Sequence, residues 1–191
     1  WVTEVLERAD VDFGILGKNE ICCGSTVLRV GDKDSFRKIR AKNLESLNST
    51  SAKTIVTACA GCFSTLSHEY KEDLNAEVKN IVQFVDDLIQ EGKLSFTKSL
   101  DLEVTYHDPC HIGRYGGLYD DPREILKAIP GLQFSEMDRI RGNSFCCGGG
   151  GGVMTGFTDW AGKNAGLRVQ EGMETGADKI VSTCPFCYFN L

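Results

Sequence analysis

The sequence lacks the features that mark a membrane-spanning, nucleic-acid-binding or secreted chain. Its 191 residues contain no apolar run of the roughly 20 residues that a membrane helix needs, so no direct membrane span is predicted. The formal net charge of −6 argues against a nucleic-acid partner, because phosphates are bound by clustered Lys and Arg. No secretory segment is recognisable, and we expect a cytoplasmic protein.

Cysteine, by contrast, is abundant. The nine cysteines fall into two sets of candidate metal ligands. In the second set, 35 residues separate a single cysteine from a vicinal pair, and 36 residues separate that pair from a CxxC motif. The members of the second set are Cys110, Cys146, Cys147, Cys184 and Cys187. The first set has a vicinal pair and a CxxC motif with 35 residues between them; its members are Cys22, Cys23, Cys59 and Cys62.

The two sets are copies of one pattern. Their vicinal pairs lie 124 positions apart (146 minus 22), and their CxxC motifs lie 125 apart (184 minus 59). A fixed period of this kind indicates an internal duplication. The counterpart of Cys110 would precede Trp1, so we expect it to be missing rather than mutated. We accordingly expect the chain to be a fragment of a longer protein.

Five consecutive glycines, Gly148 to Gly152, follow the second vicinal pair. Such a run loses much conformational entropy on folding, so packing alone does not explain it. It suits a backbone that turns sharply after two adjacent thiols and approaches a bulky inorganic group without Cβ atoms in the way. Gly148, Gly149 and Gly150 are therefore predicted to contact a cofactor.

The residues alone leave several kinds of cysteine site open. Disulfides are typical of short, loop-rich secreted chains, which this sequence does not resemble. Structural zinc takes four ligands, often from CxxC motifs, but leaves the fifth thiol and the glycines unexplained. An ordinary cubane iron–sulfur cluster also takes four cysteines, so a set of five is unusual for either.

The hydrophobic patterns predict an α/β fold of two duplicated Rossmann-like units. Each holds a small, mainly parallel sheet flanked by helices, with the thiols on loops at strand C-terminal ends. We assign residues 1–92 to the first repeat, truncated at its N-terminus, 93–99 to a linker and 100–191 to the second repeat. Locally, we predict a strand over Val11–Leu16 and a helix that is capped by Asp34 or Ser35 and runs to about Asn48.

The spacing of the second set, with CCGGGGG and DPCHIGR around it, resembles the cysteine-rich CCG domain. That domain is shared by heterodisulfide reductases, glycolate oxidase iron–sulfur subunits and related oxidoreductases, and the likeness covers the whole chain. Within this family, the run from His107 to Leu126 is most similar to the D-type subunits of the CoB–CoM heterodisulfide reductases of methanogens.

For five thiols, the resemblance implies a noncubane [4Fe-4S] cluster, one per complete repeat. The first, incomplete set would hold a partial cluster, zinc or nothing stable. The implied reaction is a step of methanogenesis, in which a disulfide of the CoM-S-S-CoB type is reduced by one electron at a time. The implied partners are a small thiol or disulfide substrate and an electron-donating subunit, either a membrane cytochrome b or a flavin or ferredoxin-type protein. A membrane cytochrome b would hold the cytoplasmic chain at the inner face of the membrane.

Two rival functions stay open. One is an electron-transfer subunit of a glycolate- or lactate-type 2-hydroxyacid oxidase, and the other is a zinc-binding interaction module without a redox role. His107 and His111 flank Cys110 and are candidate catalytic proton donors to a leaving thiolate, or else they hydrogen-bond cluster sulfur or backbone. Three arginines are either solvated surface or partners of anionic substrate groups: Arg114, Arg139 and Arg141.

Overall fold

The computed structural model describes residues 2–191 as two α/β units, one with a two-stranded sheet and one with a three-stranded sheet. The elements of the first unit are α1 (Val2–Arg8), a 3₁₀ turn (Gly17–Asn19), α2 (Ser25–Arg29), α3 (Lys33–Asn48), β1 (Thr54–Thr57), α4 (Ala60–Glu69), β2 (Glu77–Asn80) and α5 (Ile81–Gln90). The elements of the second unit are β3 (Leu102–Tyr106), α6 (Asp121–Ala128), β4 (Leu132–Ser135), a 3₁₀ turn (Arg141–Asn143), α7 (Val153–Gly156), α8 (Thr158–Met173), β5 (Lys179–Val181) and α9 (Pro185–Asn190).

Both sheets are parallel throughout. β1 pairs with β2, and β3 lies at the centre of the second sheet between β4 and β5. Parallel neighbours need a crossover connection, which α4 supplies in the first unit and α6 and α8 supply in the second. The C-terminal ends of all strands in a sheet therefore meet at one edge.

Local sequence sets where the helices begin. The carboxylate of Asp32 accepts a hydrogen bond from the Ser35 N–H at 3.0 Å and caps α3, as Ser, Thr, Asp and Asn side chains commonly do. The CxxC helices are different, because Cys59 and Cys184 occupy the extended position just before α4 and α9. β1 and β5 are therefore each followed by a cysteine that stands at the start of a helix.

Three groups of buried side chains hold the fold together. One packs Phe36 against Leu66 and Tyr70 in the first unit, and another packs Val104 and Tyr106 behind the second sheet. The third core joins the two units and contains Ala60, Val82, Ile112, Cys147, Cys184 and Cys187. Three of the five cysteines of the second unit consequently lie in the packing interface with the first.

The predicted architecture of two duplicated α/β units with parallel sheets is confirmed. The predicted strand over Val11–Leu16 is wrong, because residues 11–16 pair with no strand in the described part of the chain, and Ile15 is 76% exposed. The cap predicted at Asp34 or Ser35 is Asp32 instead, so the helix begins at Lys33. Residues 93–99 form neither helix nor strand. No helix within residues 2–191 has the length and apolar character that crossing a bilayer demands.

Candidate functional site

The second set of thiols comes together at the C-terminal edge of the three-stranded sheet. Cys110 follows β3, the vicinal pair precedes the glycine run, and the CxxC motif opens α9. The thiols form a series of hydrogen-bonding neighbours in the order Cys110, Cys146, Cys147, Cys187 and Cys184. All nine cysteines of the chain are free thiols, so the disulfide alternative finds no support.

The first set repeats this arrangement with one thiol fewer. Its neighbours follow the order Cys22, Cys23, Cys62 and Cys59. The N–H of Gly24 lies 3.4 Å from Cys22 Sγ, and the N–H of Gly148 lies 3.4 Å from Cys146 Sγ. Both glycines are left-handed, with φ of +80° and +85°, so the duplication extends to backbone conformation.

The three glycines predicted to contact a cofactor differ in their surroundings. A Cβ on Gly148 would lie 2.8 Å from Asn164 Cβ, and one on Gly149 would lie 3.0 Å from the Phe186 carbonyl oxygen. These two glycines therefore let the loop pack on α8 and α9, while their N–H groups face Cys146 and Cys147. Gly150 has open space around its Cα and lines a pocket beside the thiols.

Contacts between neighbouring thiols favour the thiolate form at some positions of each set. A hydrogen bond from Cys62 lowers the pKa of Cys59 to about 6 against the opposing effect of burial. In the same way, a hydrogen bond from Cys187 lowers the pKa of Cys184 to about 7, and bonds from Cys110 and Cys147 lower the pKa of Cys146. Thiolates are the form that binds metal.

A buried ion pair fixes the Cys110 loop. Both Asp108 carboxylate oxygens accept from the Arg123 guanidinium, at 2.8 and 2.9 Å, and the Arg141 N–H donates to Asp108 Oδ2 at 2.8 Å. Arg123 also donates to Glu136, at 2.6 and 2.9 Å. Such bidentate pairs are geometrically specific, so Asp108 ties the loop that carries Cys110 to the segment that leads to Cys146.

The two candidate histidines have different environments. His107 is fully buried at the end of β3, and its Nδ1 accepts a hydrogen bond from Arg168 Nε at 3.0 Å. Burial, with the nearby Arg168 charge, lowers the pKa of His107 to about 4, so its imidazole is neutral at physiological pH. Its Nε2 is buried and has no hydrogen-bond partner among the described residues.

His111 lies beside Cys110, with its Nδ1 3.4 Å from the Cys110 Sγ. Its ring packs on Tyr115 with centroids 5.1 Å apart. Burial, together with the Arg29 charge, lowers its pKa, and its Nε2 is buried without a partner among residues 2–191. Unlike His107, His111 lines the pocket beside the thiols.

That pocket lies between the two units. The first unit contributes Ser25, Arg29 and Gly61, and the second contributes its thiols, His111 and Gly150. The two thiol sets adjoin here, since Ala60, the residue after Cys59, packs in one buried cluster with Cys147, Cys184 and Cys187. Arg29 reaches across with its guanidinium carbon 5.8 Å from the centre of the Tyr115 ring. A molecule in this pocket therefore meets residues of both repeats.

The three arginines predicted as candidates for anionic groups are engaged elsewhere. Arg114 donates to the Gly142 and Ser144 carbonyl oxygens, Arg139 pairs with Glu171 and Arg141 pairs with Asp120. Sequence reasoning missed Arg29, which lines the pocket, and Arg168, which contacts His107. The position of Arg29 in the short helix after Cys22-Cys23-Gly24 was the one local signal.

The donor set fits an iron–sulfur group. A structural zinc ion needs four ligands around one point. Within residues 2–191, the donors that lie within 4.8 Å of one another are three, namely His107, Cys147 and Cys187. The other thiols of the second set line the same pocket, and the five together exceed the four ligands of one zinc ion. Backbone N–H groups aimed at cysteine sulfur are also the contacts that tune such clusters.

Comparison with known proteins supports the same conclusion. The model of the CCG cysteine-rich domain family matches residues 2–67 and 104–191. The chain is 41% identical, over 99% of its length and 48% of the relative, to the D-type subunit of the dihydromethanophenazine:CoB–CoM heterodisulfide reductase of Methanosarcina acetivorans. It is 40% identical to an iron–sulfur protein of Methanocaldococcus jannaschii, over 93% of the chain and 34% of the relative. It is 36% identical to the EtfAB:quinone oxidoreductase of Syntrophomonas wolfei, over 97% of the chain and 27% of the relative.

These relatives set the level at which the chain is identified. The chain spans about half the length of the heterodisulfide reductase subunits it matches. The family match covers both repeats, including every cysteine of the two sets. The chain therefore belongs to the CCG cysteine-rich domain family, in which it is related to the D-type subunits of the heterodisulfide reductases.

Proposed function

We propose that the chain is the iron–sulfur part of a heterodisulfide reductase-like complex and reduces a disulfide of two small thiol cofactors, of the CoM-S-S-CoB type. The M. acetivorans relative has this activity in its name. The observation that carries the proposal is the pocket that the second thiol set lines together with residues of the first unit, because a disulfide held there lies next to the second set and meets both repeats. Its reduction takes up two electrons and two protons and releases two thiols.

Each thiol set has a distinct part in this proposal. The five cysteines of the second set would hold a noncubane [4Fe-4S] cluster, with Gly148 and Gly149 donating N–H groups to its cysteines and Gly150 beside it. The four of the first set would hold a partial cluster or zinc unless a longer protein supplies a fifth thiol. A bound cluster supplies electrons one at a time, and the protein tunes its potential.

His111 is suited to move a proton to the substrate. When Cys110 is a thiolate, the His111 Nδ1–H can donate to its sulfur, which leaves Nε2 as the atom that exchanges protons in the pocket. An imidazolium is a stronger acid than an ordinary thiol, whose pKa is about 8.5, so proton transfer to a released thiolate is downhill. His111 therefore serves as proton carrier, while the buried His107 does not line the pocket.

Arg29 is suited to bind an anionic group of the substrate. It is exposed, lies against the pocket and has no carboxylate within ion-pair distance among residues 2–191. A guanidinium binds carboxylate, phosphate or sulfonate oxygens through two parallel N–H groups. Because Arg29 comes from the first unit and His111 from the second, one bound disulfide would contact both repeats.

Electrons must reach the clusters from a partner. The relatives' names include one component of a larger reductase and an EtfAB:quinone oxidoreductase, which supports a multi-protein complex here. We propose a membrane cytochrome b or a flavin or ferredoxin-type protein as the donor. Such a partner would place the chain in the cytoplasm at the inner face of the membrane.

The proposal is tested on the full chain purified without oxygen. We expect roughly equal iron and acid-labile sulfide of about four atoms each per complete set, a brown protein, and disulfide reduction by reduced viologen. Addition of one product thiol under oxidising conditions should produce a new paramagnetic signal. A colourless protein that contains zinc alone would contradict the iron–sulfur proposal and favour an interaction module.

A second candidate is electron transfer without disulfide chemistry, which the EtfAB:quinone oxidoreductase relative favours. A glycolate- or lactate-type 2-hydroxyacid oxidase subunit belongs to the same class. Under this alternative the chain would bind iron and sulfide and accept electrons from viologen. It would give no turnover with any low-molecular-weight disulfide and no new signal with a thiol, so the same preparation separates the two functions.

A further inference from the structure

Two fully buried side chains beside the second thiol set have no part in the proposed reaction. Arg168 on α8 and His107 after β3 both have 0% relative exposure, and Arg168 Nε donates to His107 Nδ1 at 3.0 Å. Arg168 Nη1 also donates to the Arg139 carbonyl oxygen at 2.9 Å and lies 2.9 Å from Glu171 Oε2. A buried guanidinium is costly to maintain, so this placement needs a reason.

The Arg168 contact fixes which histidine nitrogen carries the proton. A guanidinium has donors only, so His107 Nδ1 must present its lone pair to Arg168. The neutral imidazole then carries its hydrogen on Nε2. That Nε2 is buried and has no acceptor among residues 2–191. An unpaired buried N–H group is uncommon in folded proteins.

The acceptor that this N–H lacks is available from the thiol set. A ring nitrogen of His107 and the sulfurs of Cys147 and Cys187 lie within 4.8 Å of one another. Sulfur that belongs to these cysteines, or to a group they bind, is therefore an acceptor within reach of the His107 ring.

We propose that Arg168 is a positioning residue that holds His107 as an Nε2–H donor to sulfur of the second thiol set, an inference that rests on the proposed iron–sulfur site. Under this arrangement His107 is not a metal ligand, because the nitrogen near the thiols carries a hydrogen. A hydrogen bond to cluster sulfur favours the reduced, more negative state. The Arg168–His107 pair therefore raises the reduction potential of that cluster.

The test is an EPR-monitored redox titration of the full chain, following the signal that a Cys110→Ser variant loses. We expect His107→Leu to shift the midpoint potential to a more negative value while iron and sulfide contents stay at the wild-type level. Arg168→Met should shift the midpoint potential in the same direction. Arg168→Lys retains a buried donor and charge, so its midpoint potential should lie between those of Arg168→Met and wild type. His68→Gln on exposed α4 surface is the matched control and should leave the potential unchanged.

A second measurement needs only the wild-type chain. With ¹⁵N-labelled histidine, pulsed EPR should detect a weakly coupled nitrogen and an exchangeable proton near the second cluster. Strong nitrogen coupling would show that His107 binds iron directly and would overturn the inference, as would unchanged potentials in both His107→Leu and Arg168→Met at full iron content. Wild-type protein without iron would instead overturn the proposed function, and the inference with it.

Discussion

At the residue scale, the proton-carrying role of His111 can be separated from cluster binding. His111→Gln keeps an amide near Cys110 but cannot carry a proton, and general acid catalysis is typically worth about 10²–10⁴-fold. We expect disulfide reduction by this variant to fall by about 100-fold with iron and sulfide unchanged. The measurement is the steady-state rate with reduced viologen.

The control for His111 is the other unpartnered histidine. His107→Gln should change the reduction potential yet retain most of the turnover measured with an excess of strong reductant, because His107 does not line the pocket. Equal losses of turnover in both variants would show that neither histidine is a specific proton carrier.

Glu171 supports the buried Arg168, and its contribution to stability should depend on pH. Burial alone would raise the pKa of Glu171, but hydrogen bonds from the Arg139 backbone N–H and from the Arg139 and Arg168 guanidinium groups outweigh it, so the pKa lies below its usual 4.5. A carboxylate with a lowered pKa stabilises the fold above the unfolded value, and this stabilisation is lost as the pH falls through the folded value.

Glu171→Gln should therefore lower the free energy of unfolding at pH 7 by about 3 kcal/mol, the lower end for breaking a buried ion pair. The difference from wild type should shrink once the pH falls below about 4.5. Urea unfolding of the metal-free chain at several pH values measures this, with the exposed Glu174→Gln as a control. An effect that persists undiminished at low pH would argue against an ionised Glu171.

At the element scale, the turn after the second vicinal pair depends on Gly148. A side chain there would be strained by φ of +85° and would place its Cβ 2.8 Å from Asn164 Cβ on α8. We expect Gly148→Ala to lower the free energy of unfolding by about 1–3 kcal/mol and to reduce iron content. The displaced loop would carry Cys146 and Cys147 away from their neighbours.

Gly166 provides the matched substitution within α8. It is exposed, and a Cβ added there meets nothing within 4 Å, so Gly166→Ala should stabilise the helix by about 0.5–1 kcal/mol. Thermal unfolding and iron analysis compare the two variants. If Gly148→Ala retained wild-type iron and stability, the glycine run would have a purpose other than this turn.

The strands could be predicted from the sequence only in part, and the buried arginine pairs could not. The placement of thiols at the C-terminal ends of strands could be predicted, because apolar strand patterns and CxxC spacing are local properties. The strand over Val11–Leu16 failed because a strand needs a partner, and alternation alone cannot supply one. The partners of Arg123 and Arg168 lie 15 and 61 positions away, so no local period could reveal these buried pairs.

At the scale of the whole molecule, the structure makes the two repeats parts of one site. The Cys59 charge reaches Cys184, and Ala60 of the first unit packs against Cys147, Cys184 and Cys187 of the second. Spacing alone predicted two similar cysteine sets but not their proximity, because the contact between repeats depends on α5 and α6 and on helix starts from both units. The proposed disulfide reduction therefore predicts that the units must stay docked.

Ala60 tests this dependence directly. It is 1% exposed between the thiol sets, so Ala60→Leu overfills the interface, which typically costs about 1–3 kcal/mol. Because about 2–4 °C of melting temperature corresponds to each kcal/mol in a chain of this size, calorimetry should show a transition lowered by several degrees and separated into two. Disulfide turnover should be lost, whereas the second set, whose own loops are not altered, should retain its iron.

The control is Ala41→Leu, an identical change of volume at an exposed position of α3, which should leave melting and turnover as in wild type. Separated transitions together with full turnover in Ala60→Leu would show that the repeats act independently. In that case a disulfide could not be bound by both units, and each cluster would have to act alone. Separated transitions with iron retained and turnover lost would instead tie catalysis to the docked pair, as the shared pocket requires.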